Sequence, residues 1–319
     1  VYFGGGTPSL LEADEVAALL AACREAFDLA PGAEVTLEAN PENVDAAALR
    51  GWMDAGVTRV SLGVQSLLDD ELARLGRRHS AVRAKEAIGL ARAAGCDVSA
   101  DLMLWLPAQS RADCAASIGA LLDLGPAHVS FYLLELYPNA PLREEMARAG
   151  WSLAPDDDAA AMYLETLERT DAAGYEQYEI SNVARPGKRC RHNLKYWRDG
   201  AWLGFGCGAH STRAGCRWRN VAETGRYVDM IGRGLPPVAE RRRLTHEERL
   251  GDALFTGLRL VDGIDLEQVR QRYGVDVMAR YGEALVPFLE GGWLVLQAGR
   301  LRLTRRGMLL ANEVMGTFV

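Results

Sequence analysis

The stretch that decides the fold runs from residue 34 to residue 64, EVTLEANPENVDAAALRGWMDAGVTRVSLGV. Glu34–Ala39 reads as a strand, Val44–Ala55 as a helix stopped by Gly56, and Arg59–Val64 as a second strand. Strand, helix and strand joined this closely need a crossover, and a crossover makes the two strands parallel. The same rhythm extends outward in both directions. Upstream, Val1–Phe3 is a strand stub entering Gly4-Gly5-Gly6-Thr7, followed by a helix at Ala13–Phe27. Downstream come helices at Asp69–Leu75 and Ala81–Ala94, a strand at Val98–Leu106, a helix at Ala112–Asp123 and a strand at His128–Leu136. Asp156–Ala173 is a helix whose first turn, Asp156-Asp157-Asp158, suits the positive end of a helix dipole. Tyr175–Ile180 is the next strand. Six or so such units predict an α/β chain folded as a barrel or partial barrel, with its active groups at the C-terminal ends of the strands.

Composition sets the outer limits. The chain has 319 residues, 36 basic and 43 acidic side chains, a formal net charge of −7 and a 49% hydrophobic content. That length carries a large domain and a small one, and the apolar fraction excludes intrinsic disorder. No apolar run approaches the ~20 residues of a membrane-spanning helix. The acidic balance argues against nucleic acid as a partner. Six scattered cysteines (Cys23, Cys96, Cys114, Cys190, Cys207, Cys216) do not resemble a secreted disulfide framework and point to a reducing, cytoplasmic setting. The sequence enters directly on a strand with no initiator methionine or signal peptide, and the expectation is that an N-terminal segment is missing.

The rhythm divides the chain into residues 1–180, a barrel core; 181–240, an irregular connection rich in Arg, Gly and aromatics; and 241–319, a small winged-helix-like α+β domain. In the last, Thr245-x-x-Glu248 is a capping box opening a helix to Leu260. Helices at Leu266–Tyr273 and Ala279–Glu290 follow, then a hairpin of Trp293–Gln297 and Arg300–Leu303 around Ala298-Gly299, and a last helix from Thr304. Arg302, Arg305 and Arg306 are too few, beside many acids, to make it a DNA reader.

Two clusters carry chemistry. Glycines at 4–6 let backbone N–H groups approach a ligand, yet the turn fits neither a Walker loop nor G-x-G-x-x-G. Glu38 and Asp101 can accept from an amine or from ribose hydroxyls, and Gln65 and Arg77 add an amide and a fixed cation suited to a carboxylate. Together they suit a zwitterionic, ribose-bearing ligand. The second cluster is Cys190-x-His192-Asn193-x-x-Tyr196-Trp197 with Gly204-Phe205-Gly206-Cys207-Gly208-Ala209-His210-Ser211. Its Cys and His residues could bind zinc, its histidine beside aromatic rings could ligate a porphyrin iron, or both histidines could hydrogen-bond loop backbone.

The same residues carry a resemblance. FGGGTPS (3–9), EANP (38–41), RVSLGVQS (59–66), LGRRH (75–79), the DLM and LP of 101–107, and HNLKYW (192–197) occur in one order. This series resembles radical S-adenosylmethionine (SAM) proteins of the oxygen-independent coproporphyrinogen III oxidase-like family, and HNxxYW with GFGCGAHS is similar to the heme-chaperone (HemW) branch. The resemblance implies an incomplete (β/α)6 barrel, here lacking its first strand and helix, with S-adenosylmethionine and a 4Fe-4S cluster as cofactors. It implies Gly5, Gly6, Thr7, Glu38, Gln65, Arg77 and Asp101 as contacts to S-adenosylmethionine, and His192, Asn193, Tyr196 and Trp197 as the heme-contacting motif. The partners implied are heme and a heme-accepting protein, through which a membrane surface could be met. The alternatives are a coproporphyrinogen III dehydrogenase and a non-radical heme- or zinc-binding protein.

Two departures stand out. Trp105 occupies a position where the family usually has glycine. The family's cluster motif, C-x-x-x-C-x-x-C, has no counterpart among the six cysteines, so no cluster metal ligands are expected in these residues. As given, the chain is expected to bind no cluster and to perform no radical chemistry.

Overall fold

In the computed structural model, all residues Val1–Val319 are described, and they form two compact units, Val1–His192 and Asn193–Val319. The first unit is built on a seven-stranded sheet. Its strands are β1 Tyr2–Phe3, β2 Thr36–Ala39, β3 Arg59–Gln65, β4 Asp97–Leu104, β5 His128–Leu133, β6 Glu176–Glu179 and β7 Asn182–Ala184, in the spatial order β1-β2-β3-β4-β5-β7-β6. β1 to β5 are parallel neighbours in chain order, joined through helices α1 Ala13–Ala26, α2 Ala46–Ala55, α3 Asp69–Arg74, α4 Ala81–Ala93 and α5 Arg111–Leu124. The α/β partial barrel expected from residues 34–64 is therefore the fold.

Register explains how the sheet makes both a core and a site. Leu37, Val60 and Val98 lie side by side across β2, β3 and β4, and Leu62, Ala100 and Val129 do so across β3, β4 and β5. Side chains alternate along a strand, so these apolar rows share one face, against which Trp52, Ile88, Ile118 and Leu121 of the helices are buried. The alternate rows are polar: Thr36 with Arg59, Glu38 with Ser61 and Ser99, and Asp101 with Ser130. A parallel sheet covered on both faces by apolar layers would not alternate in this way. The second face is the lining of a barrel interior.

Two helices and one reversal complete the unit. α6 Pro141–Ala149, which the sequence rhythm passes over, precedes α7 Asp156–Ala172. The last strand of the rhythm is not another simple parallel addition. β6 turns at Ser181 into β7, which slots in antiparallel between β5 and β6. A four-residue strand ending in a tight reversal leaves no length for a further crossover.

The second unit corrects the reading of residues 181–240 as irregular. β8 His210–Arg213, β9 Cys216–Asn220 and β10 Val238–Arg243 form an antiparallel sheet, with a short helix α8 at Arg191–Trp197 and α9 at Thr224–Gly232. The charged runs that disguised β10 (AERRR) are those of an exposed strand. α10 His246–Gly257 opens with the expected Thr245–Glu248 capping box, followed by α11 Leu266–Tyr273 and α12 Val277–Glu290. The hairpin of β12 Leu294–Gln297 and β13 Arg300–Leu303 turns at Ala298 (φ 50°) and Gly299 (φ 73°), the left-handed pair that a tight two-residue loop requires. A third strand, β11 Ile264–Asp265, joins β13. The stretch after Thr304 is two short helices rather than one. No helix in the structure is long and apolar enough to cross a membrane.

Candidate functional site

The glycine turn follows β1 directly. Gly5 and Gly6 have φ of +80° and +68°, with open space where a Cβ would stand, and both are exposed. Gly4 is glycine for a different reason: a Cβ there would come within 2.5 Å of Tyr2 Cε1. Thr7 is the residue before the short helical turn Pro8–Leu10, its carbonyl accepting from Leu10 N at 3.0 Å.

Glu38 is the centre of the first group. Its Oε1 accepts from the Tyr2 hydroxyl at 2.6 Å and its Oε2 from Gly5 N at 3.0 Å. Asp101 faces the same interior from β4. Burial raises its carboxyl to about 7, against the lowering effect of hydrogen bonds from Ser130 and Ser61 and with the Glu38 charge raising it further. Burial and then the Glu38 carboxylate push the Tyr2 phenol upward, so it stays a donor. The two carboxylates thus feel one another's charge, and burial holds Asp101 well above the usual carboxylate range.

Gln65 and Arg77 form a second group at the end of β3. The register slips between Leu62 and Gln65, and Gln65 adopts φ 66°, which re-aims its side chain. Arg77 Nη2 donates to Asn40 Oδ1 at 2.7 Å and to Gly63 O at 3.0 Å. Gly63 permits this approach, since a Cβ there would lie 3.2 Å from Gln65 Nε2 and 3.3 Å from Arg77 Nη2. Buried His79 fixes the segment carrying Arg77, one ring nitrogen 3.1 Å from Val64 O and the other 3.2 Å from Glu42. Trp105 takes φ 61°, and its indole donates to Ala154 O at 2.8 Å. That bond ties the ring to the connection before α7 and offsets the strain of a left-handed residue with a side chain.

The HNLKYW residues have separate surroundings. The His192 ring stacks on Tyr2, with centroids 4.2 Å apart and planes 16° from parallel. The His192 and Arg191 amides donate to Glu34 Oε1 at 3.3 and 3.1 Å. Asn193 is half-buried. Within the second unit Tyr196 packs edge-on against Trp202 at 4.7 Å, and Arg259 lies 4.4 Å over the Trp197 ring. The Cys190 thiol donates to Glu34 and the Cys207 thiol pairs with Thr224, and no group of three or more His, Cys, Asp and Glu side chains is arranged to hold a metal ion.

Sequence reasoning missed Tyr2 and Ser130, and it quoted Asn40, Ser61 and Gly63 within motifs without giving them a role. The signal was there for Tyr2: it is the register partner of Thr36, two residues before Glu38 on the next strand.

Comparison with known proteins agrees with both halves of the chain. The Radical SAM superfamily model matches residues 1–121, and that of the HemN C-terminal domain matches residues 244–310. The heme chaperone HemW of Mycobacterium tuberculosis is 41% identical over 100% of this chain and 80% of its own length. That of Bacillus subtilis is 33% identical over 100% of this chain and 85% of its own. Among solved structures, coproporphyrinogen III oxidase (HemN) from Escherichia coli matches with a TM-score of 0.84 at 20% identity, over 99% of this chain and 76% of that one, which is a likeness of fold. The two family models, the fold and the near-complete alignment with relatives that carry one name lead to one assignment: this chain belongs to the HemW heme chaperone family of radical SAM proteins.

Proposed function

We propose that this chain is a heme-transfer protein that holds S-adenosylmethionine at the mouth of its partial barrel and takes heme at His192. The observation that carries the reading is the pairing of Glu38 with Asp101. Two carboxylates face one interior with hydroxyl and amide donors but no lysine or arginine partner, and a cationic ligand bearing hydroxyls would relieve that imbalance.

The donor set fits S-adenosylmethionine. Gly5, Gly6 and Thr7 would offer backbone to its methionine part, Glu38 and Asp101 would meet its ammonium and ribose, and Gln65 would add an amide. Arg77 commits Nη2 to Asn40 and Gly63, which orients the rest of its guanidinium for a carboxylate. When bound, S-adenosylmethionine supplies a sulfonium centre that yields a carbon radical on one-electron reduction. The cysteines of these residues do not fit the cluster that would deliver that electron, since none has the C-x-x-x-C-x-x-C spacing. Heme is the cargo. His192 would ligate its iron, Asn193, Tyr196 and Trp197 belong to the same sequence motif, and a heme-accepting protein in the reducing cytoplasm would receive it. The name shared by the relatives favours this over the dehydrogenase reading, which has behind it a likeness of fold and the HemN C-terminal domain match over residues 244–310.

Titration of the chain with hemin and with S-adenosylmethionine, followed by mixing the hemin-loaded protein with an apo-hemoprotein, tests the proposal. Stoichiometric uptake of both ligands and release of heme to the acceptor are expected. Failure to bind either ligand would overturn it.

A further inference from the structure

Tyr2 lies in none of the quoted motifs, yet it touches both candidate groups. Its hydroxyl donates to Glu38 Oε1 at 2.6 Å, while Gly5 N holds the other oxygen at 3.0 Å. Its ring stacks on His192 at 4.2 Å. The adjoining backbone is shaped around that ring, because any side chain at residue 4 would strike Tyr2 Cε1. His192 is drawn to the same place from its backbone side, where Glu34 accepts from the amides of residues 191 and 192 and pairs with Arg59 at 3.2 Å.

These contacts divide the tyrosine into two working parts. The hydroxyl fixes which way Glu38 presents its free lone pairs, since a carboxylate clamped at both oxygens cannot rotate. The ring fixes the plane of the imidazole, since a stacked pair at this separation resists tilting. A phenylalanine would retain the second part and lose the first. An aliphatic residue would lose both.

We propose that Tyr2 is a positioning residue that sets Glu38 for S-adenosylmethionine through its hydroxyl and His192 for heme through its ring. The inference rests on the cofactor and heme reading given above.

The two parts separate experimentally. Tyr2→Phe and Tyr2→Leu are titrated with S-adenosylmethionine by calorimetry and with hemin by its Soret band, using the whole chain. Tyr2→Phe is expected to weaken S-adenosylmethionine about tenfold, the scale of a lost hydrogen bond to a charged group, and to leave the hemin spectrum and affinity unchanged. Tyr2→Leu is expected to weaken S-adenosylmethionine equally and also to shift the Soret band. A merely structural role would move both readouts together in Tyr2→Phe. Wild-type cofactor affinity in Tyr2→Phe, or a wild-type Soret band in Tyr2→Leu, overturns the proposal. Glu38→Gln and His192→Ala serve as references in the same titrations. If they weaken the two ligands and the Tyr2 variants do not, only the role of Tyr2 falls; if they too bind normally, the site reading beneath it falls as well.

Discussion

Replacing Asp101 by asparagine should stabilise the Val1–His192 unit at alkaline pH and leave it unchanged near pH 4. Burial, the leading cause, raises this carboxyl from 3.8 to about 7 in the folded chain. A folded-state value above the unfolded one means the native form holds the proton more tightly. Its contribution is therefore full below about pH 4 and is lost as pH rises through 7. At 1.36 kcal/mol for each unit, a shift of about three units is on the order of 4 kcal/mol above pH 8, and under about 1 kcal/mol at pH 4. Asparagine has no proton to lose and can still bond Ser61 and Ser130, so it escapes the decline. Hydrogen exchange of the β3, β4 and β5 amides, compared between wild type and Asp101→Asn at each pH, reads the gap directly, because intrinsic exchange rates cancel. Protection in the variant should exceed wild type by about a thousandfold at pH 8, the equivalent of 4 kcal/mol, and match it at pH 4. Equal protection at pH 8, or a gap that does not change with pH, would show that Asp101 is not held protonated by burial.

Three further outcomes follow from buried polar groups. Glu34→Ala should destabilise the first unit by about 3–5 kcal/mol in urea denaturation, since Arg59, only 4% exposed at its side chain, loses its carboxylate partner; a loss below about 1 kcal/mol would contradict this. His128, buried between Ser99 and Tyr178 at 2.7 Å each, is pushed down to about 3 by burial and then by Arg59. Its folded value lies below the unfolded one, so its stability is full above about pH 6.5 and lost as pH falls toward 3, and His128→Gln should flatten that acid limb of the urea midpoint. Trp105→Gly should relieve a left-handed backbone worth about 1–2 kcal/mol while freeing the connection at Ala154, so exchange of the Ala108 amide, bonded to Ser152 O at 2.8 Å, should quicken more than that of β4.

Most of the first unit was legible in the sequence because each strand and helix there satisfies one local rule at a time. RVSLGV reads as a strand, and Gly56 stops a helix in the left-handed conformation. The insertion of β7 between β5 and β6 was not legible, because a three-residue strand has too few residues to show a period. The sheet of residues 210–243 was hidden likewise: β10 is exposed along its length, and an exposed strand need not alternate. At the site, Glu38 and Gln65 stood out as polar groups at strand ends, Asp101 as a carboxylate within a strand, and Arg77 as a fixed cation inside the LGRRH motif. Tyr2 did not, since a tyrosine in a strand is ordinary until the register places it beside Glu38 and under His192.

If His192 receives heme, as proposed for this member of a heme chaperone family, hemin titration of His192→Ala followed by its Soret band shows it most plainly. Wild type should give a saturable, shifted band, and the variant should lose the shift and bind at least tenfold more weakly, with an unchanged thermal midpoint. A variant whose spectrum and affinity match wild type would contradict it.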